Sequence, residues 1–224
     1  GAFVRVTFAT GVTEDRPTAL ALVRKYRDAS AAARAFSMAS THVHITLQHL
    51  GLTNDHAMLF DRLASRAFGS DASGTSPDDI AQNIFGQANL WGYGISGDLP
   101  IVLVHVADPS DVSLVRQLLH AQEYWRVKDL RADLVILNDH PADYLDEVQN
   151  QLSSLVREPR WNSWLDKPGG VFLLRSDGLP EVDGHLLSAV ARVILRGDLG
   201  ELAPQLDRKA PWLPAGEIVP QSDM

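Results

Sequence analysis

Four apolar runs most constrain what this chain can fold into: 101–106 (IVLVHV), 133–137 (DLVIL), 170–174 (GVFLL) and 192–195 (RVIL). Their near-continuous apolarity, without polar alternation, is the pattern of strands covered on both faces. Helix-patterned stretches separate them. The first opens at Asp108-Pro109 and carries Val112, Val115, Leu118 and Trp125, with Arg126 and Lys128 near its C-terminal end. The second opens at Asn138 or Asp139 and carries Leu145, Val148, Leu152 and Leu155; a third, shorter one runs from about Val182 to Val190. Strand and helix in strict alternation predict an α/β fold. We expect a small doubly wound, mainly parallel sheet of about four strands, with helices on both faces and a helical segment ahead of it.

That segment covers residues 13–68. Thr13 is the expected cap of a first helix, with Pro17 in its first turn and Leu20, Val23 and Arg27 at helical spacing. Ser30 is the expected cap of a second, striped by Phe36, Val43, Leu47 and Leu50 and closed by Gly51. Thr53 is the expected cap of a third, bearing Leu59, Leu63 and Ala67 until Gly69. The loop 69–77 (GSDASGTSP) follows, then a short helix from a Ser76 cap to a Gly86 stop. Ahead of everything, Val4, Val6 and Phe8 alternate with polar residues, as in a strand. No partner hairpin follows within about ninety residues. We therefore expect residues 1–12 to be the terminal strand of a preceding β-sandwich and 13–86 a helical linker. Residues 87–208 would form the α/β module and 209–224 (KAPWLPAGEIVPQSDM) an extended tail.

Charge narrows the partners. A net charge of −8 opposes nucleic acid or an anionic membrane surface, since both reward clustered Lys and Arg. No apolar run reaches the roughly 18 residues a membrane span needs. The chain has no cysteine, which removes thiolate metal sites and cysteine nucleophiles.

The stretch 89–111 (NLWGYGISGDLPIVLVHVADPSD) invites a phosphate-loop reading and fails it. G-x-x-x-x-G-K-[ST] occurs nowhere, and the glycines precede a strand where a dinucleotide fingerprint needs them after one. Gly94 and Gly97 are better explained as tight-turn residues, and Pro100 as the strand's start. Ligands of open α/β sheets sit beyond the carboxyl ends of the strands. The loops there hold Asp108, Asp111, Asp139, His140, Asp143, Asp177, Glu181 and Asp183. Such a rim suits a hard cation or sugar hydroxyls, although aspartates at strand-to-helix turns are expected as caps in any case.

Other motifs are incomplete. His42 and His49 stand seven residues apart, too far along a helix to share a metal, and the eight histidines give no ligand set. Gly94-Ile95-Ser96-Gly97 is one residue short of a nucleophile elbow. The string 157–161 (REPRW) lacks the acidic metal motif and membrane flank of the processive glycosyltransferases that share R-x-x-R-W. Trp161 and Trp164, with Trp91 and Tyr93, could stack on sugar faces or simply anchor their loops.

The phrases 90–104 (LWGYGISGDLPIVLV), 114–139 (LVRQLLHAQEYWRVKDLRADLVILND) and 169–208 resemble the cyclic β-1,2-glucan synthases, large bacterial membrane proteins. The likeness spans about residues 3–208. It implies a segment lying between a carbohydrate-binding β-sandwich and a glycoside-phosphorylase-like region, in a protein of the bacterial inner membrane, with this piece on the cytoplasmic side. It places no catalytic residue of the family here. The resulting expectation is a non-catalytic scaffold or glucan-contacting module. It would use no metal or cofactor and have other domains of the same polypeptide, and β-1,2-glucan, as partners. Residues to contact sugar are Trp91, Tyr93, Asp139, His140, Trp161, Trp164 and Asp177. The alternative is a carboxylate-based glycoside-processing domain, which needs two carboxyl groups roughly 5–9.5 Å apart.

Overall fold

The computed structural model describes Val4, Val6, Phe8 and residues 10–69, 77–141 and 146–208. The expectations for Asp143, Leu145, the Ser76 cap and the tail 209–224 lie outside the described residues. Two compact units divide the chain, Gly1–Asn54 and Asp55–Met224.

In the first unit Val4, Val6 and Phe8 are exposed and carry no strand pairing. Helix α1 (Arg16–Tyr26) begins two residues later than a Thr13 cap would have it. Asp15 is the cap, its carboxylate accepting from Thr18 N at 2.8 Å, while Thr13 donates to Asp15 O. Helix α2 (Ala29–Leu50) repeats the correction. Asp28 accepts from Ser30 N, so Ser30 is a donor inside the first turn, and both aspartates are held below the usual carboxylate range by these bonds. A short carboxylate reaching the free N–H groups outcompetes the neighbouring hydroxyl. Gly51 closes α2 at φ +68°, as its position predicts. Of the expected stripe, Leu47 and Leu50 are buried, whereas Phe36 and Val43 are exposed.

The second unit opens with α3 (Asn54–Phe68), which buries Ala57, Phe60, Leu63 and Ala67. Helix α4 (Pro77–Gln82) stops four residues before Gly86, which instead precedes a 3-10 helix, Gln87–Tyr93. Gly94 and Gly97 take φ of +75° and +73°, and a Cβ on Gly97 would meet Gln87 Cγ at 2.7 Å. The turn thus needs its glycines for geometry, and it feeds the amino end of β1 (Ile101–Val106).

From there the chain runs α5 (Val112–Val127), β2 (Asp133–Asn138), α6 (Glu147–Val156), β3 (Val171–Arg175), α7 (Glu181–Val190), β4 (Val193–Arg196) and α8 (Leu202–Asp207). The four strands form one parallel sheet in the order β3-β2-β1-β4. This is the doubly wound α/β arrangement that the four apolar runs predict. Helix α6 starts at Glu147, eight residues beyond Asp139, because Asn138 and Asp139 bond elsewhere, as described below.

Strand parity assigns the two faces. Ile101, Leu103, Val135, Leu137 and Phe172 pack with Leu90, Ile95, Leu186, Leu187 and Ala191, so α7 and the 3-10 helix cover that side. Val102 and Leu134, pointing the other way, line a void with Leu118 and Trp125 of α5. Behind α5 lies α3. Trp125 Nε1 donates to Phe60 O at 3.0 Å, and the Phe68 ring meets the Trp125 ring edge-on at 5.6 Å. Burying an aromatic of this size contributes about 2–3 kcal/mol, which fixes α3 as part of the α/β unit.

Candidate functional site

Strand order reverses between β1 and β4, so the carboxyl ends of these two strands bound the crevice where an open α/β sheet takes its ligand. Here that crevice is filled from within. Asp111, 7% exposed, turns its carboxylate back into the loop after β1, where Oδ2 accepts from Ala107 N and Asp108 N at 3.0 Å each. Asp108 completes a capping box by accepting from Ser110 N and Ser110 Oγ, which hold its carboxyl below the usual range. The first residue after β4 is Gly197, and a Cβ there would stand 2.0 Å from Asp111 Cγ. Backbone N–H groups that could cradle an anion are thus bonded to the chain's own carboxylate.

Around the plug the rim is paired with itself. His105, opposite both Leu137 and Arg196 in the sheet, bonds through Nδ1 to Asp139 Oδ2 at 2.8 Å. His140 Nδ1 lies 2.8 Å from Ala107 O; a carbonyl only accepts, so that nitrogen carries the hydrogen. Buried Asn138 accepts from His140 N through Oδ1, donates to Gln149 through Nδ2, and its backbone carbonyl takes Ser176 Oγ. Arg175 forks onto Asp177 at 3.0 and 2.6 Å and reaches Asp146 at 2.5 Å; the guanidinium holds the Asp177 carboxyl down. Arg196 forks onto Asp198 at 3.0 Å twice, with the same effect on that carboxyl.

The expected sugar contacts fall in three places. Asp139, His140 and Asp177 share the carboxyl rim. Trp91 and Tyr93 precede β1 in the chain, on the 3-10 helix that covers one face of the sheet. Trp91 is 65% exposed, with Nε1 donating to Ser96 O, whereas Tyr93 donates to Asp183 Oδ2 at 2.5 Å and burial pushes its hydroxyl up to about 12. Trp161 and Trp164 lie ahead of β3. Trp161 is 2% exposed, its ring edge-on to His120 and beneath Arg116, while Arg126 lies over Trp164 at 4.5 Å.

Sequence reasoning missed His105, Arg175, Arg196 and the Asp111–Gly197 contact. Arg-x-Asp ends both β3 (Arg175-Ser176-Asp177) and β4 (Arg196-Gly197-Asp198), a repeat that was visible in the chain. Among the described residues no group of three His, Asp or Glu could hold a metal ion. Among them, too, no helix is long and apolar enough to cross a membrane.

No family model matches the chain. It is 28% identical, over 211 residues and 93% of its length, to the cyclic β-(1,2)-glucan synthase NdvB of Rhizobium meliloti, of which it spans 7%. This bears out the likeness carried by 90–104, 114–139 and 169–208: over nearly all its length the chain is similar to a short segment of that synthase.

Proposed function

We propose that this segment is a non-catalytic scaffold of a cyclic β-1,2-glucan synthase, spacing the domains that handle sugar and touching the glucan. The observation that carries this reading is the filled crevice. Asp111 occupies the loop N–H groups, Gly197 closes over it, and the rim's aspartates are held by His105, Arg175 and Arg196. Such a rim has its charges neutralised locally, which suits uncharged hydroxyl-rich surfaces better than phosphates. The parent would sit in the bacterial inner membrane with this segment on the cytoplasmic side.

A second reading rests on the His105–Asp139 pair, because a carboxylate on one imidazole nitrogen is the arrangement that prepares the other to move a proton. In that case the carboxyl edge would process glycosidic bonds. Assays of the chain for hydrolysis, phosphorolysis and transglycosylation of β-1,2-glucan decide between them. The scaffold reading expects no turnover. Turnover that disappears in Asp139→Asn overturns it. Calorimetric titration with linear and cyclic β-1,2-glucans tests the contact: heat of binding that Trp91→Ala removes supports it, and no heat restricts the segment to spacing.

A further inference from the structure

At the other edge of the sheet lies an ionisable group that the proposed function does not use. Asp133, the first residue of β2, is fully buried. Its Oδ1 accepts from Gly169 N at 2.6 Å, and its Oδ2 has no hydrogen-bond partner among the described residues. Gln122 of α5 is 3% exposed, and its Nε2 donates to Ala132 O at 2.8 Å and Gly170 O at 2.7 Å. Turning that amide over would set its oxygen against two carbonyl oxygens, so its orientation is fixed. Gln122 Oε1 is then a second buried acceptor without a donor among the described residues.

Both side chains line one void between α5 and the sheet, and that void has no room for a water molecule. Two orphaned acceptors in a dry space are costly, and a protonated carboxyl supplies the one donor that serves both. We propose that Asp133 and Gln122 form a proton-operated latch. Protonated Asp133 Oδ2 donates to Gln122 Oε1 and ties α5 to the amino edge of β2 and to the turn ahead of β3.

The surroundings favour the proton. Burial raises the Asp133 carboxyl to about 6; the Gly169 N–H opposes this, and the Asp98 charge adds to it. Of the other neighbouring charges, Arg126 of α5 donates to Gly169 O, at 3.4 Å, and the Arg131 stem packs at Gly169. In the turn itself Lys167 is bonded to Ser163 O and Asp166 accompanies it. A carboxyl raised in the folded state stabilises below its ordinary value and loses that contribution as pH climbs to the raised one. The latch therefore closes below about pH 6 and opens above it.

Carbon-detected NMR titration of the Asp133 carboxyl in the intact chain tests this without a variant. A midpoint near pH 6 is expected; a midpoint at or below about 4, the ordinary aspartate value, overturns the latch. In Gln122→Met the proton loses its acceptor, so the midpoint falls, and an unchanged midpoint rules out a shared proton. Thermal melts add a third reading. Asp133→Asn keeps an acceptor for Gly169 and brings its own donor, so its melting temperature should lose the wild-type decline between about pH 4 and 6. A decline of wild-type size in Asp133→Asn overturns the proposal.

Discussion

The carboxyl edge of the sheet carries most of its charge, yet Asp111, Asp139, Asp177 and Asp198 all meet donors there. The amino edge carries one buried carboxylate, Asp133, and leaves half of it unsatisfied. The contrast teaches that charge density at an edge is a poor guide to where a fold keeps unspent chemistry. A dense rim can neutralise itself, because neighbouring loops bring acids and guanidinium groups together at the strand ends. A lone acid on the first residue of a covered strand has only backbone and amide groups to turn to.

The largest effects should come from removing the glycines that let each edge close. Gly170 has no space for a side chain, since a Cβ would lie 1.9 Å from Trp164 O, a backbone atom that cannot swing aside. Gly170→Ala should cost about 3 kcal/mol or more, read as a lower urea midpoint or loss of soluble protein. Gly197→Ala meets Asp111 instead: the carboxylate can rotate out, and the Cβ at 2.5 Å needs a shift of the short loop after β1. It should be milder, about 2 kcal/mol, by loss of the loop cap. Equal losses at the two glycines would erase the distinction between a backbone-locked amino edge and a side-chain-plugged carboxyl edge.

Next is the plug itself. Asp111→Ala leaves Ala107 N and Asp108 N without their acceptor and should cost about 1–3 kcal/mol in chemical denaturation. It also frees those N–H groups, so added phosphate should raise the variant's melting temperature and leave the wild type unchanged. A phosphate response in the wild type would show that the crevice is open.

The fold was legible in the sequence because it is written locally. Continuous apolarity gave the four strands, and Gly51, Gly94 and Gly97 sit where left-handed backbone is needed. Helix starts were less legible: Asp15 and Asp28 compete with nearby hydroxyls for the same N–H groups, and spacing alone does not rank them. The delayed start of α6 follows from Asn138 and Asp139 being spent on Gln149 and His105. The site was half legible. Asp139, His140 and Asp177 fall on the carboxyl rim because loops after strands must go there. His105 was hidden inside an apolar run, and its pairing with a residue 34 positions on is a matter of register rather than pattern. Burial separates the tryptophans: Trp91, among glycines, is open, and Trp161, beside Arg160, is closed.

Asp133→Asn should act in the opposite direction to the variants above. At pH 7 the wild-type carboxylate bears a desolvation cost that an amide does not, so the variant should be more stable there, by at most about 3 kcal/mol. Near pH 4 the wild type is protonated and the difference should vanish. A variant less stable than wild type at pH 7 would mean that the charge is balanced by a partner at the amino edge, and the two edges would then be alike.

The smallest effects belong to the forks at the carboxyl edge, and they too should differ. Arg196 and Asp198 are both more than half exposed and, among the described residues, bond only each other through their side chains. Solvent screens such a pair, so Arg196→Gln should leave the melting temperature near the limit of measurement. Arg175 is a quarter exposed and holds two carboxylates, one of them on Asp146, whose backbone takes φ +42° just ahead of α6. A non-glycine residue in that region is held there by its surroundings, and the guanidinium is one of the contacts that hold it. Arg175→Gln should therefore loosen the start of α6, seen as faster amide exchange at Gln149–Gln151, with little change in global stability. Should exchange there match the wild type, Arg175 is one more screened surface pair, and the rim is neutralised without being organised.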